Sequence, residues 1–188
     1  GASAGIDDGL VAYYPFNGNA NDESGNGNNG VVSGAILTAD RFGNANSAYY
    51  FNGINSYISA PDSSSLNITA AITVSAWIKL DGVQNNYNGI INKETSLEPR
   101  PGWLLAIYPS QQAVAGLYYA RNYLGEPSIA TSVATATSII DSNWHHIAIV
   151  YDGTVLVAYL DGQFSGSGPQ YTSGMASNNE PLRIGIDP

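Results

Sequence analysis

The chain has 188 residues, 44% of them apolar, with 21 Gly, 9 Pro, 13 Tyr and no Cys. This suffices for one large, loop-rich domain with a packed core, and it excludes disulfides, thiolate metal sites and thiol nucleophiles. Six basic against fifteen acidic residues give a formal net charge of −9, which disfavours nucleic acid and anionic lipid as partners, and no apolar run reaches membrane-spanning length.

The opening GASAG reads as a mature terminus or a cloning remnant, and residues 1–8 are expected to be disordered or tag-derived. Residues 9–16, GLVAYYPF, read as a first strand. Residues 17–30, NGNANDESGNGNNG, form a long polar loop that needs a reason to be ordered. A short apolar run follows at 31–37. Residues 47–60 carry a hairpin signal, with Tyr49-Tyr50-Phe51 turning at Asn52-Gly53 into Tyr57-Ile58. Residues 71–80 alternate well: Ile72, Val74, Ala76 and Ile78 share one face, while Thr73, Ser75, Trp77 and Lys79 share the other.

Past the polar tip at 81–89, further strands are expected at 90–93, 102–108, 116–121 and 130–140. The most regular stretch is 143–163, NWHHIAIVYDGTVLVAYLDGQ. Two apolar runs there are punctuated by Asp152-Gly153 and Asp161-Gly162, turn formers whose central residues tolerate positive φ. Both faces of both runs are largely apolar, as in strands inside a layered structure. A Gly/Ser/Tyr loop leads to a last strand at 181–186. No stretch has a capped helical period, and no repeat or linker divides the chain. The spacing predicts an all-β antiparallel sandwich over 1–188.

Several motifs carry little chemistry. Gly25–Gly30 matches GxGxxG, but a β-like run follows where a dinucleotide site needs a helix. His145 and His146 are adjacent on a strand and point to opposite faces. Trp77 and Trp144 are read as packing residues. The basic residues Lys79, Lys93, Arg100 and Arg121 crowd between 79 and 121 among aromatics and amides, including Tyr87, Trp103, Tyr119, Asn122 and Tyr123. Rings that accept the flat C–H face of a sugar, beside charges and amides that fix its hydroxyls, make a carbohydrate patch. The candidate glycan contacts are Tyr87, Lys93, Arg100, Trp103, Tyr119, Arg121, Asn122 and Tyr123. Ordinary strand tyrosines, a solvated charged face and a Trp103 that belongs to the core are the alternative.

The succession GLVAYYPFNGNANDESGNGNNG, DRFGNANSAYYFNG, ITVSAWIKL, WHHIAIVYDG, YLDGQ and LRIGIDP resembles laminin-G-like domains of the concanavalin A-like lectin/glucanase superfamily, common in secreted bacterial proteins. The resemblance covers essentially the whole chain. It implies a jelly-roll sandwich of two curved antiparallel sheets, extracellular or at a bacterial cell surface. Family members continue past the equivalent of LRIGIDP into a final strand near the first. The expectation is therefore that this strand lies outside the chain, on a longer protein or a partner chain, exposing an edge beside residues 9–16.

Asp22, Ser24, Asn26 and Asn28 are spaced like the first ligands of a calcium loop, although the later Glu is replaced by Ser33 and no helices flank the segment. With the resemblance, they make a structural Ca²⁺ the expectation. An Asn/Gly turn cluster held by side-chain to backbone hydrogen bonds is the alternative. The superfamily's glycanases carry carboxylates closely spaced on one strand; Glu94 and Glu98 flank an irregular segment instead. The combined expectation is a non-catalytic carbohydrate-binding module of a larger secreted or cell-surface protein. A structural or adhesion domain that binds protein or its own copy is the alternative, ahead of a glycoside hydrolase or polysaccharide lyase.

Overall fold

The computed structural model describes residues 5, 7–82, 88–95, 101–108, 113–118 and 129–186. Thirteen strands run in order: β1 (Val31–Ser33), β2 (Ile36–Thr38), β3 (Ala48–Tyr50), β4 (Tyr57–Ala60), β5 (Ile72–Lys79), β6 (Asn88–Glu94), β7 (Gly102–Ile107), β8 (Ala113–Tyr118), β9 (Ile129–Ala134), β10 (Trp144–Tyr151), β11 (Leu156–Leu160), β12 (Gln163–Ser167) and β13 (Leu182–Ile184). Among the described residues these thirteen strands are interrupted by one 3-10 turn, Ser64–Leu66. A seven-stranded sheet has the order β1-β4-β13-β6-β7-β8-β9, a four-stranded sheet the order β12-β11-β10-β5, and β2-β3 form a small ribbon. Every ladder is antiparallel. No helix among the described residues is long and apolar enough to cross a membrane.

The two larger sheets meet over one core. Trp103, Leu105, Ile107, Val133 and Leu182 of the first sheet join Ile72, Val74, Ile147, Ile149, Tyr151, Leu156 and Ala158 of the second. The period-two alternation read at 71–80 and 143–160 is what produces this: β5 turns Ile72 and Val74 inward and leaves Thr73, Ser75, Trp77 and Lys79 outside. β7 is buried on both faces, since Leu104 and Ala106 point away from the shared core and are buried as well. Its start requires glycine. Gly102 has φ +133°, and a Cβ there would collide with the Lys93 carbonyl across the ladder.

The two Asp-Gly signals behave differently. Asp161 and Gly162 take φ 50° and 78° and close a two-residue turn between paired Leu160 and Gln163, as the twist of a hairpin demands. Asp152 instead opens a four-residue connection between Tyr151 and Leu156, where its Oδ1 accepts the amides of Thr154 and Val155 at 2.8 and 2.9 Å.

Three sequence expectations are corrected. Residues 10–16 form no strand. The Leu10 and Val11 carbonyls accept side-chain donors of Ser24, Asn26 and Asn28, so the polar loop occupies backbone groups that a ladder would have used. The Asn52-Gly53 signal closes no hairpin, because β3 pairs with β2 and β4 enters the seven-stranded sheet. Asn52 organises the passage between them: its Oδ1 accepts the amides of Ile54, Asn55 and Ser56. Finally, residues 163–167 form β12 despite their Gly/Ser content, since backbone pairing to β11 needs no apolar side chain.

Candidate functional site: an exposed aromatic face

The outward surface of the four-stranded sheet is built by the residues that alternation leaves out of the core. Trp77 and His146 lie directly opposite each other in the β5–β10 ladder, with ring centroids 5.2 Å apart. Lys79 lies opposite Trp144 on the same face. On β11, Tyr159 faces outward next to Phe164 of β12, edge to face at 6.4 Å. A row of rings thus crosses all four strands.

A turn from another part of the chain completes the row. The Asp40 carboxylate accepts the Phe42 and Asn44 amides at 2.8 and 2.9 Å and the Asn44 side-chain amide at 3.0 Å. This fixes the turn that carries Arg41 and Phe42. The Arg41 guanidinium sits 4.1 Å from the Phe42 ring centroid and 4.2 Å from that of Trp77. It is a planar cation lying over two rings, an arrangement favoured by the negative faces of the π systems. Phe42 is 71% exposed and Trp77 44% exposed, so neither ring is needed to fill the core. Trp77, read from sequence as a packing residue, is therefore a surface residue; Trp144 is half-buried.

His145 takes the opposite side of β10. Its Nδ1 lies 2.8 Å from Asp161 and its Nε2 2.9 Å from Asp141. Burial disfavours its charge, but the hydrogen bonds to Asp161 and then Asp141 outweigh this and raise its pKa. The pair of histidines diverges as expected, one clamping loop ends and the other lining the aromatic row.

The sequence-derived glycan patch does not form a surface among the described residues. Tyr87, Arg100, Tyr119, Arg121, Asn122 and Tyr123 lie outside them. Lys93 and Trp103 face each other across β6 and β7 on the core side, at 2% and 5% exposure. Lys93 sends its ammonium to Asp62 at 2.8 Å and to the Asn178 and Glu180 carbonyls at 2.9 and 2.8 Å. A charge buried this deeply must be paired, and here the pairing ties the segment before β13 to the sheet. Neither residue is available to an external ligand. Glu94 is fully buried on the other face of β6.

The 17–30 loop is ordered by its own side chains. Asp22 Oδ1 accepts the amides of Tyr13 and Ser24, both at 2.9 Å; Oδ2 accepts the Ser24 hydroxyl and the Asn28 amide, both at 2.9 Å. Burial would raise the Asp22 pKa, but these donors together lower it. Asn26 and Asn28 turn their amide N–H groups toward the Leu10 and Val11 carbonyls, and Asn28 Oδ1 accepts from Ser63 and Ser65. Tyr14 donates to the Asn28 carbonyl at 2.6 Å, and burial first, then the Asp22 charge, raises its pKa. In this arrangement the side chains of Asp22, Ser24, Asn26 and Asn28 satisfy one another and the backbone of residues 10–13. The Asp22 carboxylate accepts N–H and O–H donors, and the Leu10 and Val11 carbonyls and Ser24 Oγ converge on the Asn26 side-chain amide at 2.9, 3.1 and 3.1 Å. No cluster of three His, Asp or Glu suited to a metal occurs among the described residues.

Residues 51–188 match the Laminin_G_3 family, described as concanavalin A-like lectin/glucanases superfamily. The chain belongs to that family. This laminin-G-like domain is similar in structure to the binding domain of Paraclostridial mosquitocidal protein 1, with TM-score 0.76 and 20% identity over 98% of this chain and 46% of that one. It is also similar to the botulinum neurotoxin serotype D binding domain, with TM-score 0.69 and 19% identity over 97% of this chain and 44% of that one. A third similar structure is the binding domain of botulinum neurotoxin DC in complex with SialylT, at TM-score 0.68 and 13% identity, covering 97% of this chain and 45% of that one. The chain thus spans less than half the length of these domains, and the likeness establishes a shared fold. No curated protein sequence matches it.

The sequence did hold a signal for the exposed face. Alternation placed Trp77 and Lys79 on the polar side of β5, and a Trp on a polar side has no core to fill. Arg41 and Phe42 carried no such signal, because only the fold brings their turn over β5.

Proposed function

We propose that this laminin-G-like domain is a non-catalytic carbohydrate-binding module of a larger extracellular protein, and that the outward face of its four-stranded sheet is the binding surface. The observation that carries the reading is the exposed Arg41–Trp77 stack with Phe42 beside it. Large rings kept out of the core, beside a fixed hydrogen-bond donor, suit the apolar faces and hydroxyls of sugars. The shared fold with toxin binding domains, one solved in complex with SialylT, supports a binding role over a catalytic one. The reading does not require calcium, since the hydrogen bonds of Asp22, Asn26 and Asn28 order the loop, and a structural Ca²⁺ there is a separate proposal that the EDTA arm below tests.

The test is a glycan array, followed by titration of the best hit in calcium and in EDTA. Trp77→Ala is expected to lower affinity at least tenfold with an unchanged circular dichroism spectrum, and EDTA to leave binding intact. Wild-type affinity in a folded Trp77→Ala variant would remove this face from consideration. A second reading, a domain that engages protein or its own copy, draws support from β5, which has a ladder on its β10 side alone among the described residues and so offers an edge for strand addition. Self-association measured by sedimentation, without any array signal, is its signature.

A further inference from the structure

The charges around Trp77 carry the carbohydrate reading further, to a class of sugar. Six basic residues serve a chain of net charge −9. Four of them are described, and two are consumed internally: Lys93 pairs with Asp62 and Arg183 with Glu180, each at 2.8 Å. The other two, Arg41 and Lys79, make no ion pair among the described residues, and both border Trp77. Lys79 is two residues along β5 on the same face, about 7 Å away at the usual strand rise. The nearest acids in sequence are Asp40 and Asp81. The Asp40 carboxylate accepts mainly from Asn44 and Phe42 of its own turn, and its pKa is lowered first by the Asn44 side-chain hydrogen bond and least by the Arg41 charge. Arg41 and Lys79 are exposed.

The Arg41 stack also sets a geometry. The guanidinium lies 4.1 and 4.2 Å from the Phe42 and Trp77 ring centroids, and its edge, a fork of N–H donors, offers a carboxylate or sulfate two at once. Because the rings already hold the guanidinium, little side-chain freedom is lost on binding. Phe42 leaves most of its ring open beside that edge for the C–H face of a sugar.

We propose that this face recognises a sugar bearing an oxyanion, a carboxylate or a sulfate, with Arg41 as the bidentate partner, Lys79 as a second cation, and Phe42 and Trp77 as the apolar support. The proposal rests on the carbohydrate-binding reading and narrows it. Charge complementarity is its basis: two cations without an ion pair among the described residues flank one exposed Trp in a chain of net charge −9.

The experiment titrates the folded domain by calorimetry with oligogalacturonate, sialyllactose and a sulfated galactan oligomer, each set beside its methyl-esterified or desulfated counterpart. The expected result is at least tenfold tighter binding of one acidic member than of its neutral form, the carboxylate and sulfate arms telling which anion is read. Arg41→Gln is expected to erase that preference, and Arg41→Lys to restore part of it, because Lys keeps the charge and loses the fork. Arg41 lies on an exposed turn, and circular dichroism verifies that both variants fold. Equal binding of acidic and neutral forms overturns the oxyanion proposal and leaves the carbohydrate reading standing. An acidic preference that survives Arg41→Gln overturns it too. Binding of no glycan on this panel or on the array overturns both.

Discussion

Lys93→Met separates a structural lysine from a ligand contact. The substitution keeps an unbranched apolar stem and removes the ammonium, stranding its acceptors: Asp62 Oδ1 at 2.8 Å and the Asn178 and Glu180 carbonyls at 2.9 and 2.8 Å. Breaking a fully buried pair costs about 3–5 kcal/mol. Here the Asp62 side chain is 27% exposed and can recruit water, whereas the two carbonyls lose partners at roughly 1–1.5 kcal/mol each. The expected loss is therefore about 3–4 kcal/mol, toward the lower end of that range. For a chain of this size, about 2–4 °C of Tm per kcal/mol gives a fall of roughly 6–16 °C. Urea unfolding followed by tryptophan fluorescence measures it, and glycan affinity of the folded fraction should not change. Adding Asp62→Leu to Lys93→Met should recover part of the loss, because no carboxylate is then left unpaired. A loss under about 1 kcal/mol, less than a single stranded acceptor costs, would refute the reasoning. Weakened glycan binding at unchanged stability would do so as well.

Two further outcomes are expected. Asp22→Ala removes four hydrogen bonds and should cost roughly 2–3 kcal/mol, with the partly solvated loop moderating the loss; the melting temperature should fall equally in EDTA and in calcium. A calcium-dependent rise in the wild-type melting temperature that Asp22→Ala abolishes would restore a cation to the loop. Because the folded Asp22 pKa is lowered, its contribution is present above the unfolded value and is lost as pH falls through the folded one. His145 has the reverse sign. Its raised pKa gives a contribution that is full below the free imidazole value of about 6.5 and lost as pH rises through the folded value. NMR titration of the His145 ring should find a midpoint above that of free imidazole, and Asp161→Asn should lower it; a midpoint at or below the free value in the wild type would mean that the Asp141–His145–Asp161 contacts do not form in solution.

What the sequence determined by itself is local and periodic. Alternation fixes which side of β5, β10 and β11 is buried, because a strand side chain has only two directions to choose from, and Asp161-Gly162 fixes a tight turn because both of its residues accept positive φ. The polar loop, too, announced its own donors and acceptors, though not whether a cation or the backbone of residues 10–13 would satisfy them. Tertiary structure decided whatever depends on distant partners. Lys93 and Trp103 looked like surface ligands until β6 and β7 were placed as paired inner strands, with carbonyls 85 and 87 residues away waiting for the ammonium. Residues 10–16 had the composition of a strand, yet the Leu10 and Val11 carbonyls accept the Asn26 and Asn28 side chains and the Tyr13 carbonyl accepts the Glu23 amide. Arg41 reached Trp77 because the fold laid one turn across one strand, and a contact between residues 36 positions apart leaves no periodic trace in the chain that encodes it.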